Sequence, residues 1–106
     1  MGKYWLANIP NGALLAGSEV EDMPSITTGN EHDFDVTVTG CALGDMVLGV
    51  SFDIDLDPDC QAVGYVSAAD TVTVVVQNDS GNTADFAAAT CRVLVLPSGA
   101  IDSIIA

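Results

Sequence analysis

Basic side chains are almost missing from this 106-residue chain: Lys3 and Arg92 stand against fifteen carboxylates, for a formal net charge of -13. Affinity for nucleic acid comes largely from neutralising phosphates with Lys and Arg, so no nucleic-acid partner is expected. An anionic membrane surface repels such a chain for the same reason. No run approaches the roughly eighteen apolar residues of a membrane span. Asn8, Pro10, Asn11 and Gly12 break the apolar N-terminal stretch, so it does not read as the core of a secretory signal. Histidine is nearly missing too. His32 is alone, and no Cys-x-x-Cys or Cys-x-x-His spacing accompanies it, which removes the usual structural zinc frameworks.

The three cysteines, Cys41, Cys60 and Cys91, are odd in number and widely spaced, so no closed disulfide framework uses them all. One pair stays open as an alternative. Cys91 lies in an apolar run and reads as a small buried hydrophobe, and the set fits a reducing compartment. The six aromatic residues form no cluster that would line a sugar cleft. His32 has no nucleophile motif such as Gly-x-Ser-x-Gly beside it, and Gly40 to Gly44 lacks both the spacing and the following helix of a phosphate loop. The expectation is a protein that is not an enzyme and carries no cofactor.

What the chain does hold is strand-forming sequence. At this length a single domain buries roughly 60 to 70% of its unfolded surface, enough for a core without staples. The organising stretch is Val36 to Asp55, read as strand, tight connection, strand. Val36 and Val38 alternate with Thr37 and Thr39. From Met46 to Leu56, Val50, Phe52, Ile54 and Leu56 alternate with Ser51, Asp53 and Asp55, the period of two of a half-buried strand. Gly49 inside this strand suggests a bulge or a close backbone approach, and Pro58 ends it.

Around these lie a short strand near Val20, a first clear strand from Asp33 to Thr39, and a third strand from Gln61 to Ser67. A turn at Ala68-Ala69-Asp70 leads into Thr71 to Gln77, whose Val72, Val74 and Val76 share a face, so Tyr65 to Asn78 reads as a β-hairpin. Phe86 to Ala89 makes one helical turn or covers one end of a sheet, and Thr90 to Leu96 is the last strand, nearly all apolar. Short strands at regular spacing, with no long helix, predict an all-β, antiparallel β-sandwich or jelly-roll-like fold with extended N- and C-terminal arms. Residues 1–17 are expected to be an arm, 18–97 the sandwich and 98–106 an apolar tail whose isoleucines are buried.

The densest set of chemical groups is Asp53, Asp55, Asp57 and Asp59. On a strand they would share one face and repel one another. Calcium, with six to eight oxygen ligands, is one answer, although Pro58 and Gly64 fall where an EF-hand loop needs its sixth-position Gly and terminal acid. Docking to a basic patch is another. The reading preferred is a wetted edge kept charged against pairing. The acidity as a whole has two readings: a well-solvated outer surface, which is preferred, or a polar exterior with a smaller, nearly uncharged surface that docks to something.

Two further stretches, Gly40-Cys-Ala-Leu-Gly-Asp45-Met-Val-Leu and Tyr65-Val-Ser-Ala-Ala-Asp70-Thr-Val-Thr-Val74, followed by Asp85 and Thr90-Cys-Arg-Val-Leu-Val95, resemble a family of small β-rich tailed-bacteriophage structural proteins. That family has Gly-Ala-Ala-Leu-Gly-Asp and Tyr-Val-Ser-Ala-Ala-Asn-Thr-Val-Thr-Val at the corresponding places. The match runs from about Val20 to Pro97, with Cys41 for Ala, Asp70 for Asn and Val75 where Arg is frequent. The resemblance implies a capsid decoration, or cement, protein of the outer virion surface, assembled in the host cytoplasm. Its expected partners are the major capsid protein and itself, as a homotrimer. Its docking is expected to use the apolar arms, through Tyr4, Trp5, Leu6 and Ile9 at one end and Ile101, Ile104 and Ile105 at the other. The alternative is a host-recognition or glycan-binding module of a head or tail fibre, which requires Tyr65 or Phe52 at the surface.

Overall fold

The computed structural model describes residues 14–57 and 59–105. Six strands follow in order: β1 (Leu15–Glu21), β2 (Glu31–Thr37), β3 (Met46–Phe52), β4 (Cys60–Ala68), β5 (Thr71–Asn78) and β6 (Ala89–Leu96). One helix, α1 (Ser98–Ile105), closes the described chain. Two antiparallel three-stranded sheets form, ordered β1-β6-β3 and β2-β5-β4. They face each other as an all-β sandwich.

The alternation in the sequence becomes the two sides of each sheet. Val36, Val72, Val74, Val76 and Val66 point inward from one sheet, and Cys91, Val93 and Val95 from the other. Val47, Val50 and Phe52 pack on them. Each valine so enclosed contributes roughly 1.5 to 3 kcal/mol relative to exposure. Val47 and Val50 of β3 lie against Gly64 of β4. At Gly17 of β1 the backbone of β2 comes close, so that an added methyl group would fall on the Thr37 carbonyl oxygen.

The β4–β5 hairpin forms as expected, with its register shifting between Val66 and Ala68 and Asp70 at φ 61° in the turn. Asp and Asn tolerate that left-handed conformation better than most residues. The expected bulge at Gly49 is present, since the β3–β6 register shifts between Val47 and Gly49. Below the hairpin, Asn78 is fully buried. Its amide donates to the carbonyls of Ile26 and Asn82 at 2.8 Å each, and its oxygen accepts from Ser80 N–H at 2.9 Å and from the Cys60 thiol at 3.5 Å. A buried amide thus saturated fixes both loops around it, because breaking any bond would strand a polar group.

Several expectations need correction. The strands on either side of Gly40 do not pair: β2 bonds β5 and β3 bonds β6, so the connection crosses from one sheet to the other. The tight connection thus joins two strands whose apolar residues meet in the core between the sheets. The second strand stops at Phe52 rather than Leu56, because Asp53 bonds Thr90 through both its backbone N–H (3.2 Å) and its carboxylate (2.8 Å). Phe86 to Ala89 forms no helical turn; Phe86 packs on the core from a loop and Ala89 begins β6. β1 begins at Leu15, within the segment expected to be arm.

The C-terminal tail is the helix α1, and its isoleucines are not all buried. Ile101 is half-buried, whereas Ile104 is 50% and Ile105 76% exposed. The small cluster that seats α1 on the domain takes in Ala100 and Ile101, while Ile104 and Ile105 stay largely exposed.

Gly17→Ala is expected to lower stability by about 1 to 3 kcal/mol, the usual cost of forcing an extra carbon into a closed contact. Urea denaturation measures it. An unchanged midpoint would contradict so close an approach of β1 and β2.

Candidate functional site

The outer surfaces of the two sheets differ in kind. Outward from β2-β5-β4 come Glu31, Asp33 and Asp35 on β2, Thr71, Thr73, Val75 and Gln77 on β5, and Gln61, Val63 and Tyr65 on β4, as the pairing register sets them. The Thr73 hydroxyl donates to Asp35 at 2.8 Å and takes the Ser67 hydroxyl as its donor at 2.8 Å. This face is acidic along one edge and carries an exposed tyrosine, 53% accessible, on the other.

Outward from β1-β6-β3 come Ala16, Ser18 and Val20, then Thr90, Arg92 and Leu94, then Met46, Leu48, Gly49 and Ser51. No carboxylate stands at any of these outward positions. Val20, Met46, Leu48 and Leu94 are exposed large hydrophobics. The bulge turns both Leu48 and Gly49 outward opposite Leu94. Beside them Ala16, Gly49, Ser51, Arg92 and Leu94 line a shallow depression of about 330 Å³. Small side chains keep it open, and a lone guanidinium borders it. The result is a mostly apolar sheet face with one cation, on a protein otherwise covered in carboxylates. A face of this composition suits docking to another macromolecular surface.

Between the sheets, at one end of the sandwich, two aspartates hold the crossing connection. Asp70 accepts from Gly40 N–H at 2.7 Å, while its own backbone bonds Val38 N–H and the Cys41 carbonyl, each at 2.9 Å. Asp45 accepts from Ala42 N–H at 2.9 Å and from Ser98 N–H, the first residue of α1, at 2.7 Å. Burial works against the ionised form of Asp45, but the hydrogen bonds from Ser98 and Ala42 outweigh it and hold the carboxyl below its usual value. At the opposite edge His32 Nε2 lies 2.7 Å from Glu21 Oε2, linking the two sheets, and the His32 ring stacks on Phe34.

The residues singled out from sequence fall as follows. Tyr4, Trp5, Leu6 and Ile9 lie outside the described residues. Ile101, like Leu14, packs against the small cluster of Leu96 and Ala100, with Ile104 and Ile105 beyond on α1. Asp53, Asp55, Asp57 and Asp59 are all exposed, and among the described residues no three His, Cys, Asp or Glu side chains converge as a metal site would require. Phe52 is half-buried and meets Phe34 edge-on, whereas Tyr65 is at the surface. The carboxylate-free, apolar face of β1-β6-β3 was not located from the sequence. Its signal was apolar residues at both parities of Thr90 to Leu96 and in Met46-Val47-Leu48, as in a strand covered on both sides.

All three cysteines are free and buried. Burial pushes the Cys91 thiol up to about 11, with the Glu21 charge adding to it. Burial, then Asp45 and Asp70, raise Cys41. Burial, then Asp57, Asp59 and Asp79, raise Cys60. Thiols so placed stay protonated and shielded.

Two measurements follow from these groups. A folded pKa below the unfolded one contributes stability that is present above the ordinary carboxylate range and lost as pH falls through the folded value. Asp45→Asn, which keeps one acceptor of two, is expected to cost about 1 kcal/mol at neutral pH, with the gap to the parent narrowing in acid; denaturation at a series of pH values tests this, and a pH-independent gap would refute it. The cysteines are expected to resist a disulfide reagent in the native protein at mildly alkaline pH and to react together on unfolding; fast labelling of any one in the folded state would contradict their placement. Comparison with known proteins finds no matching family model, no matching curated protein and no matching solved structure.

Proposed function

We propose that this chain is a non-enzymatic structural protein that docks on the outer surface of a viral shell, a capsid decoration protein that stabilises contacts between capsomers as a homotrimer. The observation that carries the docking half of this reading is the contrast between the two sheets. One outward face is carboxylate-free and apolar around Leu48 and Leu94, while the other is acidic along β2. The shell as partner comes from the resemblance of Gly40–Leu48 and Tyr65–Val74 to tailed-phage structural proteins. In the structure these two stretches meet, since Asp70 of the second bonds Gly40 of the first. They therefore build one end of the domain and support its scaffold, leaving contact with the shell to the β1-β6-β3 face and the two chain ends.

A second reading has its own observation. The exposed Tyr65, beside Val63 and Gln61 on β4, supplies the surface aromatic that a host-recognition or glycan-binding module requires.

Undecorated shells incubated with the protein and sedimented distinguish the two. Leu48→Asp with Leu94→Asp is expected to reduce bound protein at least tenfold, about 1.4 kcal/mol or more, with Asp33→Asn and Tyr65→Ala near parental occupancy. Full occupancy with both leucines replaced would reject the docking face. Unchanged occupancy after removing both 1–10 and 100–106 would reject the role of the chain ends. Loss of cell or glycan binding in Tyr65→Ala, with no shell binding in the parent, would favour the second reading.

A further inference from the structure

The carboxylate-free face of β1-β6-β3 has a polar row across it. In the pairing register Arg92 of β6, the middle strand, stands opposite Ser18 of β1 on one side and Ser51 of β3 on the other, so a guanidinium is flanked by two hydroxyls. All three residues are exposed. Arg92 makes no ion pair among the described residues, where His32 and Glu21 form the one pair present. Asp53, two residues beyond Ser51, gives its carboxylate to Thr90 N–H instead. A guanidinium is a planar fork of N–H donors that matches the two oxygens of a carboxylate. Besides Lys3, this is the chain's one basic residue, and the fold sets it on the apolar face.

The relief around Arg92 is as particular as its charge. It borders two depressions, one toward β3 with Gly49 and Ser51, the other toward β1 with Gly17 and Ser18. Gly49 keeps the first open, since a side chain added there would enter free space. An apolar hollow beside a fork of donors is complementary to an apolar side chain beside a carboxylate. Charge then separates the occupants. A second copy laid face to face brings Arg92 no acid, because no outward position on this face carries one, and two chains of net charge -13 repel each other. Nucleic acid or an anionic lipid surface brings its charges in an array, and one guanidinium does not offset their repulsion from fifteen carboxylates. A single carboxylate set in an apolar protein surface meets neither objection.

We propose that Arg92, with Ser18 and Ser51, receives one carboxylate of the surface on which this face docks, an Asp or Glu side chain whose apolar neighbour enters the depression at Gly49. The inference rests on the docking reading of the β1-β6-β3 face and adds the chemistry by which that face selects its partner. Enclosed by apolar contact on both sides, such a pair is sheltered from water. Removing either member then leaves the other charge buried and unpaired, which weakens binding more than the loss of the bond itself.

The probe is undecorated shells, either untreated or with their surface carboxylates converted to neutral amides by carbodiimide and ethanolamine. On untreated shells Arg92→Leu is expected to bind about tenfold more weakly than the parent, or worse, with Arg92→Lys, which keeps the charge without the fork, in between. Contact through apolar area alone predicts that Arg92→Leu binds as well as the parent or better, and that result would overturn the proposal. On amidated shells the gap between parent and Arg92→Leu should close; a gap of the same size would show that Arg92 meets something other than a carboxylate and would overturn it too. Gly49→Val fills the depression and should also weaken binding, so parental binding by this variant rejects the apolar anchor. Far-UV circular dichroism and a parental urea midpoint check that the variants fold, as the exposure of Arg92 and the free space at Gly49 predict. Failure of this inference is distinct from failure of the reading beneath it. Binding lost in Leu48→Asp with Leu94→Asp but kept in Arg92→Leu removes the carboxylate alone, whereas a parent that binds no shell removes both.

Discussion

The domain depends on the hydrogen bonds that two aspartates make to one connection. Residues 38 to 45 carry the chain from the β2-β5-β4 sheet to the β1-β6-β3 sheet, and their backbone groups find no ladder to join. Asp70, at the tip of the β4–β5 hairpin, takes up Gly40 N–H and Val38 N–H, and Asp45 takes up Ala42 N–H. The same Asp45 carboxylate receives the first N–H of α1, which places the helix over the end of β6. Hairpin, crossing and helix therefore share one set of bonds. Left-handed backbone at position 70 is part of the arrangement, because it aims both the carboxylate and the peptide groups of Asp70 at the connection.

Local alternation made much of this legible. The hairpin could be read because Val72, Val74 and Val76 recur at a period of two beside a short turn, and both its strands are joined locally. Gly49 announced its bulge because a residue without a side chain inside an apolar run has few other uses. Partner choice was not legible. Whether β2 lies beside β3 or beside β5 is decided by which apolar faces meet across the sandwich, and the residues flanking Gly40 carry the same alternation in either case. The short helix was hidden for a related reason. Eight residues with one Gly, two Ser and three isoleucines have weak helical preference, and what starts α1 is Asp45, fifty-three residues away.

The acidic run is a strong local signal whose side chains have few partners in the fold. Asp53, Asp55, Asp57 and Asp59 alternate in sequence, yet among their carboxylates only that of Asp53 has a hydrogen-bond partner among the described residues, the Thr90 N–H. That bond ends β3 and turns the chain toward β4, and the acids that follow lie in water. The apolar outward face of β1-β6-β3 escaped notice because its members come from three strands far apart in sequence. Ala16, Leu48, Arg92 and Leu94 become neighbours only when β6 is inserted between β1 and β3.

That insertion also bears on how the surface can be used. A six-stranded sandwich has four edge strands, and an unprotected edge pairs with any strand that reaches it. Here β2 presents Glu31, Asp33 and Asp35, and β1 ends in Glu19 and Glu21. The other two edges are bent by irregularities, β3 at Val47/Gly49 and β4 at Val66/Ala68. Association by strand addition is thereby discouraged on every side. Charge repulsion opposes contact through the β2 side as well. What remains is the flat of the β1-β6-β3 sheet, where apolar side chains are outward and no outward position carries a carboxylate, so among the described surfaces it is the one on which neither charge nor edge protection opposes contact with another apolar surface.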